Sequence, residues 1–600
     1  MHHFPCSNIG PASRRLRVIA CGLTLALTVS PATGWAVDYF VSTVGNDAND
    51  GRTEDTAFAT PARALKQAGA GDTLYILDRY VLQQGPLLIQ MKQGTAGAPL
   101  RLRGRASRHA TQPPAIECLR PLPCVQVESS RHIDIAQLNL LAGQTTQAGA
   151  MQGVFYVRNS QSVTLADNHV SGSARFAVYL DGTSSDADHA LRGNHISGTR
   201  DSAIYAVGQQ RLTVSGNAVS DVVQGDGIVV VGARGVDIEG NRVSNIAYPS
   251  GKEGIKVRPS QDVRIVGNEV SEVSGMGIYV MRASNVHSAE RHRNVLVQRN
   301  VVYHAVTRNR GVTPCVGGGW PAAVHVAVTD GAVVEHNRVF ENYGEGIVLS
   351  HVTQGLMRWN EARDNFSVNL YLNNTDTTTV ERNFTYHTGL APFQRCGAGA
   401  GGIGFANEKF RDPQGVEVGT VRLLAGLHVH NNIVLGGRFG MSYYTEDSDY
   451  YYRGGLRQSR IANNTVYGSQ NGPLLSIVDD PDHRDNLIEA NLWQQRPAGS
   501  GTPPLRRVPR YGFTTLANLW HGGPIGSEAG GSPDDVLADA QLTAPGAFNA
   551  DGYRIAGSSP ARDAARYSQP NKALWYDYFG QRRGLEAWDI GAHEYGKPVE

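Results

Sequence analysis

An asparagine returns at one fixed place in a repeating unit along most of this chain, and that repeat constrains the fold more than any other feature. One unit reads Gly254-Ile255-Lys256-Val257-Arg258, then Val263-Arg264-Ile265-Val266-Gly267-Asn268-Glu269-Val270. Its neighbour reads Gly227-Ile228-Val229-Val230-Val231, then Val236-Asp237-Ile238-Glu239-Gly240-Asn241-Arg242-Val243. The same residue recurs as Asn168, Asn194, Asn217, Asn241, Asn268, Asn300, Asn337, Asn360, Asn383, Asn432, Asn464 and Asn491. Most spacings are about 23 to 27 residues, a length suited to a solenoid repeat.

Each unit holds two short runs in which apolar and polar residues alternate, the period of a strand. Gly and Asn punctuate the corners, and helical periodicity is absent. Coils of such strands stack into parallel sheets about 4.8 Å apart, with alternate residues inside. The recurring Asn then falls at a turn, where its amide can bond the Asn of the next coil, as in other stacked-strand ladders. The prediction is an all-β chain forming a single right-handed parallel β-helix of about 12 or more coils.

Terminal repeats need closing. Residues 38–42 read as a strand, 45–51 as a turn and 62–68 as a capping helix, before Gly71-Asp72-Thr73-Leu74-Tyr75-Ile76 opens the first coil. The chain therefore divides into a signal peptide over 1–36, an N-terminal cap and first coils over 37–110, a β-helix core over 111–495 with inserted loops at 307–321 and 389–401, and C-terminal coils and cap over 496–600.

The signal peptide is read from Arg14, Arg15 and Arg17, the short apolar run 18–29, and the small residues of Gly34-Trp35-Ala36. Cleavage is expected after Ala36, delivering a secreted or periplasmic protein, and no later segment has the length to span a membrane. Cys6 and Cys21 leave with the signal, so four of the six cysteines reach a compartment that permits disulfides. Cys118 and Cys124 are close enough to shut a small loop. Cys315 and Cys396 sit on the two insertions, which leave one corner about three coils apart, or ~14 Å. They are predicted to pair and to wall one side of the neighbouring sheet.

Period two also sorts the first strand of each coil. Ile255 and Val257 point in, while Lys256 and Arg258 point out. Stacking gives one outward column: Tyr156, Tyr179, Tyr205, Val229, Lys256, Tyr279, His325, Val348, Tyr371, Gly404 and Ser442. The preceding row is small (Ala177, Ala203, Gly227, Gly254, Gly277, Ala323, Gly346), as the floor of a groove would be. Tyrosine offers an apolar ring with a polar tip, a surface that suits sugar rings, although it is also simply at home on exposed strands. Tyr156, Tyr179, Tyr205, Arg282, His325 and Tyr371 are the candidate substrate contacts.

Lys256 and Arg258 form the adjacent outward cationic pair, with Tyr279 one coil on. Asp226, Glu253 and Glu345 stand immediately before their strands. This set suits β-elimination at a uronate, which needs the carboxylate neutralised, a base for the α-proton and an acid for the leaving oxygen. Lysine shifts its pKa more readily and arginine binds carboxylates bidentately, so Lys256 reads as base, Arg258 as clamp and Tyr279 as acid. A solvated charged face would carry the same residues. The formal net charge of +1 over 600 residues argues against a nucleic-acid partner, but leaves room for an anionic polysaccharide on a local basic patch.

The ends of the chain carry a resemblance. Tyr39-Phe40-Val41-Ser42, Gly45 to Gly51 with Asp47 and Asn49, Phe58, Thr60 and Gly71-Asp72-Thr73-Leu74 resemble the entrance of bacterial β-helix proteins, many of them polysaccharide lyases. Ser559-Pro560-Ala561-Arg562-Asp563, Gly580-Gln581-Arg582 and Asp589-Ile590-Gly591-Ala592-His593-Glu594-Tyr595 resemble their exit. Glu253-Gly254-Ile255-Lys256-Val257-Arg258 is similar to the acidic-x-apolar-x-x-Lys segment of chondroitinase B and the family 9 pectate lyases. That resemblance puts the family's base lysine on Arg258 and a calcium-binding carboxylate on Glu253. It makes calcium the candidate cofactor, with Asp226 as the second ligand, although the family's second acidic residue falls on Gly251. The leading expectation is a monomeric lyase acting on a uronate-containing polymer. The alternatives are a glycoside hydrolase or C5-epimerase on the same scaffold, or a non-catalytic polysaccharide-binding protein. N-terminal sequencing of protein exported by a bacterial host is expected to begin at Val37; recovery of chains starting at Met1 would refute the cleavage.

Overall fold

Alternation and the corner residues turn the repeats into three long parallel sheets of 17, 15 and 16 strands. The computed structural model describes residues 35–596 apart from 83–84, 108–112, 120–122, 143–152, 174, 183–187, 248–250, 282–290, 312–320, 409–422, 445–453, 497–503, 526–530, 569–571 and 585–586. Each coil contributes one strand to each sheet. In the Asn268 unit these are Ile255–Val257, Gln261–Val266 and Glu269–Val273. Every strand pairs in parallel with its equivalents one coil before and after, as in Ile228↔Ile255↔Ile278. The chain is a right-handed parallel β-helix, and residues 37–600 form one compact unit.

The core is the bore of this solenoid. Inward residues such as Ile255, Val257, Val263, Ile265, Val270 and Val273 are all 0% exposed. They belong to one apolar column running from Tyr39 to Trp520. Near the start, Thr60 caps the helix Pro61–Gln67, its hydroxyl accepting from the Arg63 amide, and Ala64 and Leu65 join the column. Cys118 and Cys124 form a disulfide with Cα atoms 5.5 Å apart. Cys396 is also disulfide-bonded, while Cys315 lies outside the described residues. At the other end, the chain beyond Val536 folds back along the outer face of the third sheet. There Tyr553, Ile555 and Ile590 cover Phe384, Ile433 and Leu492, and buried Arg583 reaches Asn431 (2.9 Å) and Glu594 (3.0 Å). No described helix is long and apolar enough to cross a membrane.

The asparagines meet in one unbroken ladder. From Asn194 on, each Oδ1 accepts from both the backbone amide and the Nδ2 of the asparagine one coil earlier, at 2.9–3.1 Å. Each Nδ2 also reaches a strand carbonyl, as Asn337 does to Val297 (2.9 Å). Asn518, which the repeat pattern did not single out, extends the series by one coil and receives Asn491. The residue before each ladder position is left-handed: Gly193, Gly216, Gly240 and Gly267 at φ 61–64°, and Arg299, His336 and Trp359 at 54–57°. That conformation swings the chain round the corner and aims the amide along the stack. Glycine adopts it freely, whereas for other residues it costs ~1 kcal/mol.

A buried polar group left without a partner costs ~1–3 kcal/mol. Asn337→Ala orphans the Asn300 amide and one of the two N–H groups of Asn300 Nδ2, and removes one of the two donors to Asn360 Oδ1. It is expected to lower the unfolding free energy by ~2–4 kcal/mol in urea titration, and a loss below ~1 kcal/mol would show that the ladder is ornamental.

Candidate functional site

The sheet containing Ile255–Val257 carries the expected column in register. The pairs run Tyr156↔Tyr179↔Tyr205↔Val229↔Lys256↔Tyr279↔His325↔Val348↔Tyr371↔Gly404↔Ser442. All lie on the face turned away from the bore, because the inward positions between them are filled by apolar residues, mostly Val, Ile and Leu. The small row does not form a groove floor. A Cβ on Gly254 would meet Val270 at 2.5 Å and one on Gly277 would meet Val302 at 2.4 Å. These positions face the third sheet at the corner, and close packing there is what demands Gly or Ala.

The tyrosines are also less open than alternation suggested. Tyr156 and Tyr179 stack on each other with ring centres 5.4 Å apart and an 8° interplanar angle. Tyr205 stacks on Phe176 at 4.8 Å. Coil spacing brings like rings on successive strands within stacking range, so they cover one another. Burial and the nearby Asp181 push the Tyr179 hydroxyl up to about 12. Tyr279 stacks on His325 at 5.3 Å, and the His325 Nε2 lies 2.7 Å from the Ser350 hydroxyl. Arg282 lies outside the described residues.

The centre of the column holds a buried charge cluster. Lys256 Nζ donates to Glu253 Oε2 (2.7 Å) and to Asp226 Oδ2 (3.3 Å), and all three side chains are nearly covered. The Glu253 amide donates to Asp226 Oδ1 (2.9 Å), and the two carboxyls share a side-chain hydrogen bond. Burial, then the hydrogen bond and charge of Asp226, push Glu253 up to about 7. Asp226 moves the other way: burial would raise it, but the bond from Glu253 and the Lys256 ammonium hold it below the usual range. Burial would lower Lys256, yet the two carboxylates outweigh that and raise it. Lys256 is therefore held charged and is not the free base expected of it. Arg258, two residues on, is exposed and bonds no described residue through its side chain.

Asp226 and Glu253 do not fit the calcium site that the resemblance implies. Calcium takes 6–8 oxygens; here two carboxylates converge, and an ammonium already lies between them. No group of three or more His, Cys, Asp or Glu able to hold a metal ion occurs among the described residues.

Three and five coils further along lie two more buried acids, Glu345 and Glu408, of which sequence reasoning noticed only Glu345. Tyr371 Oη donates to Glu408 Oε1 (2.5 Å), and Asn373 Nδ2 also donates to Glu408. Burial raises Glu408, opposed by those two bonds. Burial, then the charge of Glu408, raises Glu345 well above the carboxylate range, with Arg395 opposing. Glu408 had no local signal: it meets Tyr371 and Asn373 across 37 and 35 residues of chain, through coil stacking alone.

Comparison with known proteins adds to the fold only. The family model described as right handed beta helix region matches residues 152–308. No curated protein matches the sequence. Among solved structures, the A-module of a mannuronan C-5 epimerase from Azotobacter vinelandii is similar at 12% identity and TM-score 0.35, over 71% of this chain and 91% of that one. A pectate lyase is similar at 11% identity and TM-score 0.22, over 93% and 96%. An alginate lyase solved with a trisaccharide is similar at 12% identity and TM-score 0.35, over 82% and 86%.

The raised Glu253 has a sign that stability can read. The folded state keeps a proton that the unfolded chain releases between pH ~4.5 and ~7, so stability falls as pH rises through that window. Asp226, lowered, acts only below its ordinary range near 3.8. Glu253→Gln is expected to flatten the pH 5–7 slope of unfolding free energy by ~1–3 kcal/mol. An unchanged slope would show that Glu253 does not hold its proton.

Proposed function

We propose that the protein binds an anionic polysaccharide along the outer column and breaks it by β-elimination at a uronate beside Lys256 and Tyr279. The observation that carries this reading is the buried Asp226–Glu253–Lys256 cluster in the middle of the column, with Arg258 beside it and Tyr279 one coil on. Elimination requires positive charge at the uronate carboxylate, so that the α-proton becomes acidic. Arg258 supplies a guanidinium suited to bidentate pairing with a carboxylate. Lys256, neutralised by its two partners, holds Glu253 in position. The base role passes from Lys256 to Glu253, because a group titrating near 7 is the better proton acceptor at neutral pH. Tyr279 donates to the leaving oxygen. The bonds balance simply: the α-proton goes to Glu253, its electron pair forms the new double bond, and the glycosidic C–O bond breaks with a proton from Tyr279.

Hydrolysis is disfavoured at this cluster. Glycosidases hold two carboxyls about 5–9.5 Å apart, whereas Asp226 and Glu253 are hydrogen-bonded to each other. Epimerisation shares the proton abstraction but then returns a proton to the opposite face of the same carbon, leaving the glycosidic bond whole.

The test is the ultraviolet absorbance of unsaturated uronates on a panel of pectate, alginate and glycosaminoglycans. Arg258→Ala, on the surface, is expected to lower kcat/KM by ~10- to 100-fold while leaving stability unchanged. Tyr279→Phe and Glu253→Gln are expected to lower kcat by ~10²- to 10⁴-fold. Solvent deuterium entering the polymer without new absorbance would replace elimination by epimerisation. New reducing ends without absorbance would replace it by hydrolysis.

A further inference from the structure

The strand that carries Lys256 has a second guanidinium beside it, which alternation along the column does not reveal. Arg308 lies on the short helix Thr307–Asn309, at the corner that precedes the strand Ala322–Ala327, two coils on. That corner stacks on the one leading to Glu253. The Lys252 amide donates to Ser274 Oγ (2.9 Å), the Gly275 amide to the Lys252 carbonyl (2.7 Å), and the Arg308 amide to the Ser274 carbonyl (3.3 Å). From there the Arg308 side chain reaches back to Gly251, two residues before Glu253. Gly251 is left-handed at φ 70°, and a Cβ on it would sit 2.5 Å from Arg308 Nη1 and 3.3 Å from Arg308 Cδ. Glycine here both adopts the turn without strain and leaves the space that the arginine fills.

Arg308 is exposed and bonds no described residue through its side chain. Its neighbour Arg310 differs, pairing with Glu272 (2.9 Å) and lying over the Tyr343 ring (5.0 Å). Arg258, in the same exposed and unbonded state as Arg308, stands at the far end of the Lys256 strand. Lys256, between the two, is taken up by Asp226 and Glu253. A polymer laid along the column at this coil therefore has a guanidinium on each flank.

Successive units of an extended 1,4-linked polyuronate turn their carboxylates to alternate sides. Guanidiniums on opposite flanks match that alternation, and each offers the planar fork that holds a carboxylate bidentately. The corner that the resemblance makes a calcium site carries the opposite charge. Calcium takes anionic and carbonyl oxygens; at the position of the second acidic ligand the chain has Gly251, and a guanidinium covers it. A cation in that place repels calcium and supplies directly the positive charge that the ion would bring to a carboxylate.

We propose that Arg308 is a second carboxylate-binding residue, and that Arg258 and Arg308 together seat two consecutive uronates without a metal ion. This rests on the reading of the outer column as the site of elimination and narrows its substrate to a polymer with uronates at adjacent positions.

Dissociation constants are measured by calorimetry on full-length Tyr279→Phe protein, which suppresses turnover. The probes are octamers of galacturonate, of mannuronate, and of uronate alternating with a neutral N-acetylhexosamine. The better-bound polyuronate is expected to bind at least ~10-fold tighter than the alternating octamer. Adding Arg308→Ala should weaken that polyuronate ~10-fold, and Arg308→Lys, which keeps the charge but not the fork, ~3-fold. The alternating octamer, held by one guanidinium at a time, should change less than ~2-fold with either substitution. EDTA and added calcium should each leave polyuronate affinity within ~2-fold. A polyuronate indifferent to Arg308→Ala, an equal loss for the alternating octamer, tighter binding of the alternating octamer, or affinity lost in EDTA and restored by calcium overturns the arginine pair. The expected binding without unsaturated uronates from the unsubstituted protein overturns only the elimination chemistry. No binding of any octamer overturns both.

Discussion

Register holds this protein together and also makes its site. The Asn ladder ties each corner to the next by two hydrogen bonds at a fixed height, so a coil cannot slip by one residue without orphaning several buried groups. Alternation of side chains then carries the same discipline to the outer face. Lys256, Tyr279 and His325 lie on one line because Asn268, Asn300 and Asn337 do. The left-handed residue before each asparagine is the local cause, and burial of the apolar bore stabilises the whole stack.

On that scaffold, chemistry depends on which coils place an acid at the corner preceding the strand. Asp226, Glu253 and Glu345 occupy equivalent positions, yet their surroundings differ. The first two lie one coil apart and share a lysine, which sorts them into one ionised and one proton-holding carboxyl. Glu345 has no such cation on its own strand, and burial, then the charge of Glu408, raises it. Similar residues thus acquire different proton affinities from burial and from neighbours one or more coils away.

The outer face is less of an open trough than a row of tyrosines implied. Rings repeated at coil spacing satisfy one another, and the glycine row serves the corner instead of a ligand. The polar run from Lys256 through Tyr279, His325 and Ser350 to Asn373 is what distinguishes this face, and only part of it follows from alternation.

The parallel solenoid, the ladder and the composition of the column were legible from the chain, whereas the repeats showed only two of the three strands in each coil. Each depends on periods of two residues and of one coil, which are local and repeat many times. The charge state of Lys256 was not legible, because it is set by how closely Asp226 and Glu253 approach in a buried corner. Nor was the setting of Glu408, which follows a strand with nothing in its neighbourhood to mark it. Its contact with Tyr371 and Asn373 joins side chains from different coils. Sequence determines what repeats; stacking alone determines which singular residues meet, since that depends on distances between coils that no local pattern encodes.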